Sequence, residues 1–203
     1  MKFELSWGGL YKIISGGQTG ADQGGLMAAW RHDVETGGQA PLGYKTQDGC
    51  NPILETLGLS QGSDYPGRTK ANVENSDGTV IIAHHMNSIG TALTRTAAKQ
   101  NCKPLLELNI SEMIHLALSS NSSMNEVALN NVVTHASALC DWIIVNKIQV
   151  LNVAGNREIR SNGTANSIMI VHTATKLIIG MALDVLKADG MVITKKDKSI
   201  FEL

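Results

Sequence analysis

The chain has 203 residues, a formal net charge of −1 and 17% charged residues. That length suits one domain, and the near-neutral balance, with no dense Lys/Arg cluster, excludes nucleic-acid binding by charge. With three Trp, three Tyr and two Phe, the chain also lacks the aromatic platforms on which single strands stack.

Residues 10–15, "LYKIIS", read as a short buried strand cut off by Gly16. A helix is predicted over 22–30, with Leu26, Met27 and Trp30 on one face. "GGQAPLGY" reads as a turn-rich connection, and 47–67 as a long polar loop with at most one helical turn. A loop of that length inside a compact domain points to function. A short helix is predicted over 69–74, a buried strand over 78–84 and a helix over 91–99. A third strand follows over 104–108. Residues 111–142 read as mostly helical, broken at "SSNSS". A fourth strand covers 148–155, then the polar loop "NREIRSNG" and a long helix over 167–187. The tail 188–203 reads as an edge strand or arm. Short apolar strands alternating with helices mean an α/β fold: a mainly parallel sheet with helices on both faces, in three layers.

Cys50, Cys102 and Cys140 are widely spaced and form no CxxC or Cys/His pattern. Neither a disulfide framework nor a metal site is expected, and reduced thiols point to a cytoplasmic location. "MKFELSWGG" has no long apolar run, so no secretory signal is expected there. The longest apolar stretch, 168–186, carries His172, Lys176 and Asp184, so a core helix and no membrane partner is expected. Charge content below the roughly 25% usual for soluble domains suits an oligomer.

Ligands of such folds bind outside the carboxyl ends of the strands. Three strands end there in suggestive loops: "SGGQTGAD", "HMNSIGTALT" and "AGNREIRSNG". Glycine lets backbone approach a ligand. The first N–H groups of a helix lack internal partners and attract oxyanions. Thr19, Ser88 and Thr91 add hydroxyls, and Arg157 and Arg160 add charge. The first loop is neither a P-loop, since no Gly-Lys pair exists in the chain, nor a sound dinucleotide fingerprint, since Ser15 stands where GxGxxG needs its first glycine. Taken alone, it could be a tight turn with Asp22 or Thr19 as N-cap. Gly16, Gly17 and Gly20 are assigned to ligand approach, and Gly24 and Gly25 to close packing of the helix on the sheet.

"KIISGGQTGADQGGL", "RTKANVENSDGTVII", "GTALT", "KPLLEL" and "VLNVAGNRE" occur in the order seen in the so-called putative molybdenum carrier family. The chain resembles this branch of the SLOG Rossmann-like superfamily over 11–108 and 149–186. Relatives include the lonely-guy phosphoribohydrolases and the molybdenum cofactor carrier proteins. The resemblance implies a single Rossmann-like domain over 1–203 and a homo-oligomer (dimer or tetramer); in a departure from those relatives, 111–142 is longer than their corresponding segment and reads as a helical insert. The resemblance also implies a pocket for a phosphate-bearing, nucleotide-like ligand, with molybdenum cofactor or a nucleotide as the candidate occupants. Carried over, Gly16, Gly17, Gln18, Thr19, Gly20 and Asp22 form the first ligand loop, and Ser88, Gly90 and Thr91 the second. Arg68, Thr69, Asn72 and Asp77 match one further pattern, and Asn152, Gly155, Arg157 and Glu158 another. The phosphoribohydrolases carry a catalytic glutamate after their glycine-threonine turn. Here Thr94 and Arg95 stand in that region, which favours binding or carriage over catalysis.

Two other readings stay open. A nucleotide-processing hydrolase or transferase would use Glu158, Asp22 or His84 as acid or base. A sensor or scaffold would use the insert 111–142 to hold a protein. His84 and His85 are adjacent, so they point to opposite strand faces and do not suit one metal. Asp77 reads as a cap or a partner of Arg68, and Glu158 as either a pocket acid or a cap on the last helix.

Overall fold

The apolar run after Leu10 forms β1 (Lys12–Ser15), with three of its four residues buried. In the computed structural model, which describes residues 7–62, 64–119, 126–159 and 169–195, α1 (Ala21–Arg31) and β2 (Glu35–Ala40) follow. Next come the small hairpin β3–β4 (Lys45–Thr46, Gly49–Cys50), α2 (Ile53–Thr56) and β5 (Leu59–Gln61). The chain continues through α3 (Tyr65–Glu74), β6 (Gly78–Ala83), α4 (Ile89–Gln100) and β7 (Leu105–Asn109). The remaining elements are α5 (Ser111–Ser119), α6 (Glu126–Asn146), β8 (Val150–Gly155) and α7 (Ile170–Ala188).

Six strands form one sheet in the order β5-β2-β1-β8-β6-β7, with every pairing parallel. This is the expected Rossmann-like α/β architecture. Helices α1, α6 and α7 pack together on one face, and α3 and α4 pack on the other. The period-2 alternation of β8 serves both layers. Val153 lies under Gly25 of α1, whereas Asn152 faces the residues of α3 and α4. β6, "GTVIIA", is buried at all six positions, as a strand covered on both faces must be.

Several expectations need correction. "GGQAPLGY" is not only a turn, because Gly37–Ala40 belong to β2. The supposed loop 47–67 contains β4, α2, β5 and the start of α3. Trp30 is 56% exposed, so the buried face of α1 is built from Ala21, Gly24, Gly25, Leu26, Ala28 and Ala29. The predicted helical segment 111–142 is α5 and most of α6, and α6 packs on α7, away from the α3–α4 face. Its proposed break falls at the end of α5 and on residues outside the described ones. In the tail, Val192 makes a parallel bridge to Leu10. Arg160 and residues 196–203 lie outside the described residues.

β1, β2 and β5 build the sheet outward in one direction, and β6 and β7 build it in the other. The last strand, β8, fills the gap between β1 and β6. The three strands that carry the candidate loops are therefore neighbours, at the point where the strand order reverses.

Candidate functional site

The loops that leave β1, β6 and β8 are tied together by the chain itself. Gly20 forms an antiparallel bridge with Arg157. Ala21 N–H donates to Asn156 O (3.1 Å), and Glu158 N–H donates to Thr19 O (3.2 Å). A Cβ on Gly20 (φ 110°) would stand 2.5 Å from Asn156 O, so the strap requires glycine there. Asn156, 8% exposed, joins the other pair of loops. Its Oδ1 accepts from His85 N–H (2.6 Å), and its Nδ2 reaches His85 O and Ser88 Oγ (3.3 Å each).

Between these loops and α3 lies a crevice of about 50 Å³. Gly16 and Asp22 supply one wall, Arg68, Thr69 and Asn72 of α3 a second, Gly90 and Thr94 of α4 a third, and Asn152 and Gly155 of β8 the last. Complete small-molecule sites measure roughly 300–1,000 Å³, so this crevice is too small to enclose a whole ligand of that class. Gly90 lies in the first turn of α4, where backbone N–H groups lack helical acceptors. Ser88 caps that helix by accepting from Thr91 N–H (3.2 Å).

Arg68 lies directly on the backbone of Gly16. A Cβ there would be 1.2 Å from Arg68 Nη1. The guanidinium donates from Nη1 to Asp22 Oδ2 (3.1 Å), with side-chain exposures of 11% and 5%. Arg68 Nε is buried and has no partner among the described residues. Asp22 Oδ2 also accepts from Gln18 N–H (3.1 Å). Burial pushes the Asp22 pKa up, against the pull of Arg68 and the Gln18 amide. Tyr65 stands at the start of α3 with Arg68 at 5.0 Å and Arg157 at 5.2 Å from its ring centre. Cations are thus gathered on one aromatic side chain beside the crevice.

A family model, the circularly permutated YpsA SLOG family, matches residues 13–175. The chain belongs to that family. Its fold is shared by a crystal structure of a protein named "putative molybdenum carrier protein" from Syntrophus aciditrophicus SB, 34% identical, with a TM-score of 0.68. The match covers 86% of this chain and 96% of that one. No curated protein matches the chain.

Of the family-pattern residues, Gly16, Asp22, Arg68, Thr69, Asn72, Gly90, Asn152 and Gly155 meet at the crevice. Others hold its frame. Gly17 is packed against Leu54 and Leu59, so a ligand does not approach it in this form. Gln18 is buried, with Oε1 accepting from Gln47 N–H (2.6 Å) and Nε2 on the Tyr65 hydroxyl. Thr19 Oγ1 donates to Asp48 Oδ2 (2.7 Å), and Thr91 Oγ1 donates to Met86 O (2.8 Å), so both hydroxyls are engaged within the protein. Neither Asp22 nor Thr19 caps α1, whose N-cap is Gly20 without a side-chain bond. Arg157 is exposed on the rim. Glu158 takes the capping role: its carboxylate accepts from Val171 and His172 N–H (2.9 Å each) at the start of α7. Asp77 does not meet Arg68, because its Oδ2 accepts from Gln149 N–H (3.0 Å) and Val150 N–H (2.8 Å).

His84 is half-buried near Glu158. Its pKa is lowered by burial first and then by His85, with Glu158 opposing. His84 and His85 rings stack with centres 6.3 Å apart. No group of three His, Cys, Asp or Glu side chains suited to a metal occurs among the described residues. No helix of the described residues is long and apolar enough to cross a membrane. Sequence reasoning missed Asn156, Tyr65 and Asp48 as parts of the site. Asn156 sits inside the quoted "NVAGNRE", and that was its only visible signal.

Proposed function

We propose that the crevice binds the anionic end of a phosphorylated, nucleotide-like small molecule, and that the protein holds or carries this ligand. The observation that carries the reading is Arg68. It is a nearly buried guanidinium that lines the crevice, spends one donor on Asp22 and has a buried Nε without a partner among the described residues. The first turn of α4 adds backbone donors at Gly90. Strong recognition of phosphate by arginine follows from its fork of donors.

Binding is favoured over hydrolysis by what the acidic candidates already do, Asp22 at the crevice being paired with Arg68. Glu158 is committed to the α7 backbone, and Thr94 lines the crevice where the related ribohydrolases have their glutamate in that region. Molybdenum cofactor, a phosphorylated pterin, is one candidate cargo, in line with the name of the Syntrophus relative. The donor set of the crevice, the Arg68 guanidinium and the first turn of α4 at Gly90, suits its phosphate. Calorimetry with nucleoside monophosphates, ADP-ribose and molybdenum cofactor tests the reading. At least one should bind, and Arg68→Ala should weaken it by ~10–100-fold, the worth of a charged hydrogen bond. Failure of the whole panel to bind overturns it.

A further inference from the structure

The crevice floor carries a negative charge as well as a positive one. Asp22 Oδ2 is used by Arg68 Nη1 and Gln18 N–H. Its other oxygen, Oδ1, has no donor among the described residues, and Asp22 lines the crevice. A carboxylate in that place positions Arg68, but it does not itself attract a bare anion. An anionic ligand oxygen set beside Oδ1 would be repelled in a site where water screens little. An oxygen that bears a hydrogen would instead donate to it, while its anionic neighbours take the free donors of Arg68.

Resting on the reading above, we propose that Asp22 is a specificity residue that selects ligands presenting an O–H beside the anionic oxygens. Hydrogen phosphate, a singly protonated phosphate monoester and a phosphorylated sugar with an adjacent hydroxyl meet that requirement. Sulfate and molybdate, fully ionised at neutral pH, do not. Free molybdate is therefore a poor cargo for this crevice, and a phosphorylated organic molecule is a good one. The carboxylate works by rejecting the wrong anion as much as by holding the right one.

Asp22 must be ionised for this to work. Burial opposes ionisation. Arg68 opposes burial across 3.1 Å, and a guanidinium does not lose its proton. Neutral Asp22 would leave that charge, 11% exposed, without the one counter-ion it touches among the described residues. On this proposal the two charges persist together, 3.1 Å apart, until a ligand enters.

Equilibrium dialysis of the full chain at pH 7.5 against inorganic phosphate, sulfate, molybdate and ribose 5-phosphate provides the test. Wild type should hold phosphate ~10–100-fold more tightly than sulfate or molybdate, the discrimination expected of one hydrogen bond to a charged group. Asp22→Asn, which can donate to a bare anion, should close most of that gap. If the wild-type protein takes up sulfate or molybdate as well as phosphate, the inference fails while the anion site survives. That comparison needs no variant, so it stands even if Asp22→Asn does not fold. Ribose 5-phosphate separates the sources of the hydroxyl. Equal binding with phosphate assigns the O–H to the phosphate. If ribose 5-phosphate alone binds, the O–H is the sugar's, and Asp22→Ala should then weaken it ~10-fold or more. Undiminished binding in that case refutes the role of Asp22. If none of the four binds, this inference falls, while the nucleotide and cofactor panel decides the parent reading separately.

Discussion

Replacing Gly16 by alanine tests whether that glycine exists for the arginine above it. The new Cβ would lie 1.2 Å from Arg68 Nη1, 2.3 Å from its Cζ and 2.9 Å from Asp22 Oδ2. No side chain survives such an overlap in place. Arg68 is the flexible partner, so it leaves, and Asp22 keeps its burial without its counter-charge. Breaking a buried pair from one side costs ~3–5 kcal/mol. Protonation of Asp22 recovers part of this, because burial already favours the neutral acid. The net expected loss is about 2–4 kcal/mol. Urea unfolding followed by tryptophan fluorescence reads it, since Trp142 packs against the core. The decisive comparison repeats the change in an Arg68→Ala background. There the methyl meets only Asp22 Oδ2 among the three nearest atoms, and Gly16→Ala should cost under ~1 kcal/mol, giving a coupling of ~1–3 kcal/mol. Equal costs in the two backgrounds would refute the argument, because the methyl would then be clashing with something other than the guanidinium.

Gly90→Ala is the counterpart at the same crevice. No atom lies within 4 Å of its Cβ position, so folding stability should hold or rise by up to ~1 kcal/mol, while the methyl narrows the crevice and weakens phosphate uptake; unfolding and dialysis measure the two effects separately. Glu158→Gln keeps the shape of the α7 cap but removes its charge, and thermal unfolding should show a loss of ~0.5–2 kcal/mol. Acid should also weaken the fold through two histidines. Burial lowers the pKa of His84 and of His172 below the ordinary 6.5, with His85 adding to the first and Lys176 to the second. The unfolded chain then binds more protons, so stability falls as pH drops through 6.5 towards the folded values. A urea midpoint series from pH 8 to pH 5 should slope that way, and His84→Gln with His172→Gln should flatten it.

The strands and loops that build the crevice were legible for simple reasons. β1, β6 and β8 are short apolar runs, and each ends at a polar, glycine-bearing turn. β2 was not legible. "ETGGQA" has two glycines and little apolar content, and it is a strand because β1 and β5 hydrogen-bond to both its edges. Pairing can overrule propensity in this way. Cβ positions expose the same limit in the glycine loop. The sequence shows that Gly16, Gly17 and Gly20 need space, but it does not say for what. The space is taken by Arg68, by Leu54 and Leu59, and by the 156–158 backbone respectively. Those neighbours lie tens of residues away, so only the folded chain identifies them. Gly25 does meet β8, at Val153, as expected of a helix tight on a sheet, whereas Gly24 meets α7 at His172 and Thr175.

The late position of β8 makes Asn156 the residue on which the crevice depends for its shape. β8 and β6 are already paired, from Gly78 opposite Leu151 to Ile82 opposite Gly155. Beyond Gly155 the ladder ends, and the two chains would part towards their separate helices. Asn156 continues the connection by its side chain, taking His85 N–H and reaching His85 O and Ser88 Oγ. It thereby holds the α4 start, with Gly90, against Gly155 across the crevice. Asn156→Ala should cost ~1–3 kcal/mol, chiefly by leaving the His85 N–H without its acceptor. Asn156→Asp keeps that acceptor and loses only the donor, so it should keep the His85 amide protected from hydrogen exchange while Asn156→Ala does not. Ligand affinity should follow the same order: wild type, then the aspartate variant, then the alanine variant. A His85 amide equally protected in all three would mean that the backbone alone sets the spacing of the walls. In that case Asn156 would be a buried polar residue without a part in the site.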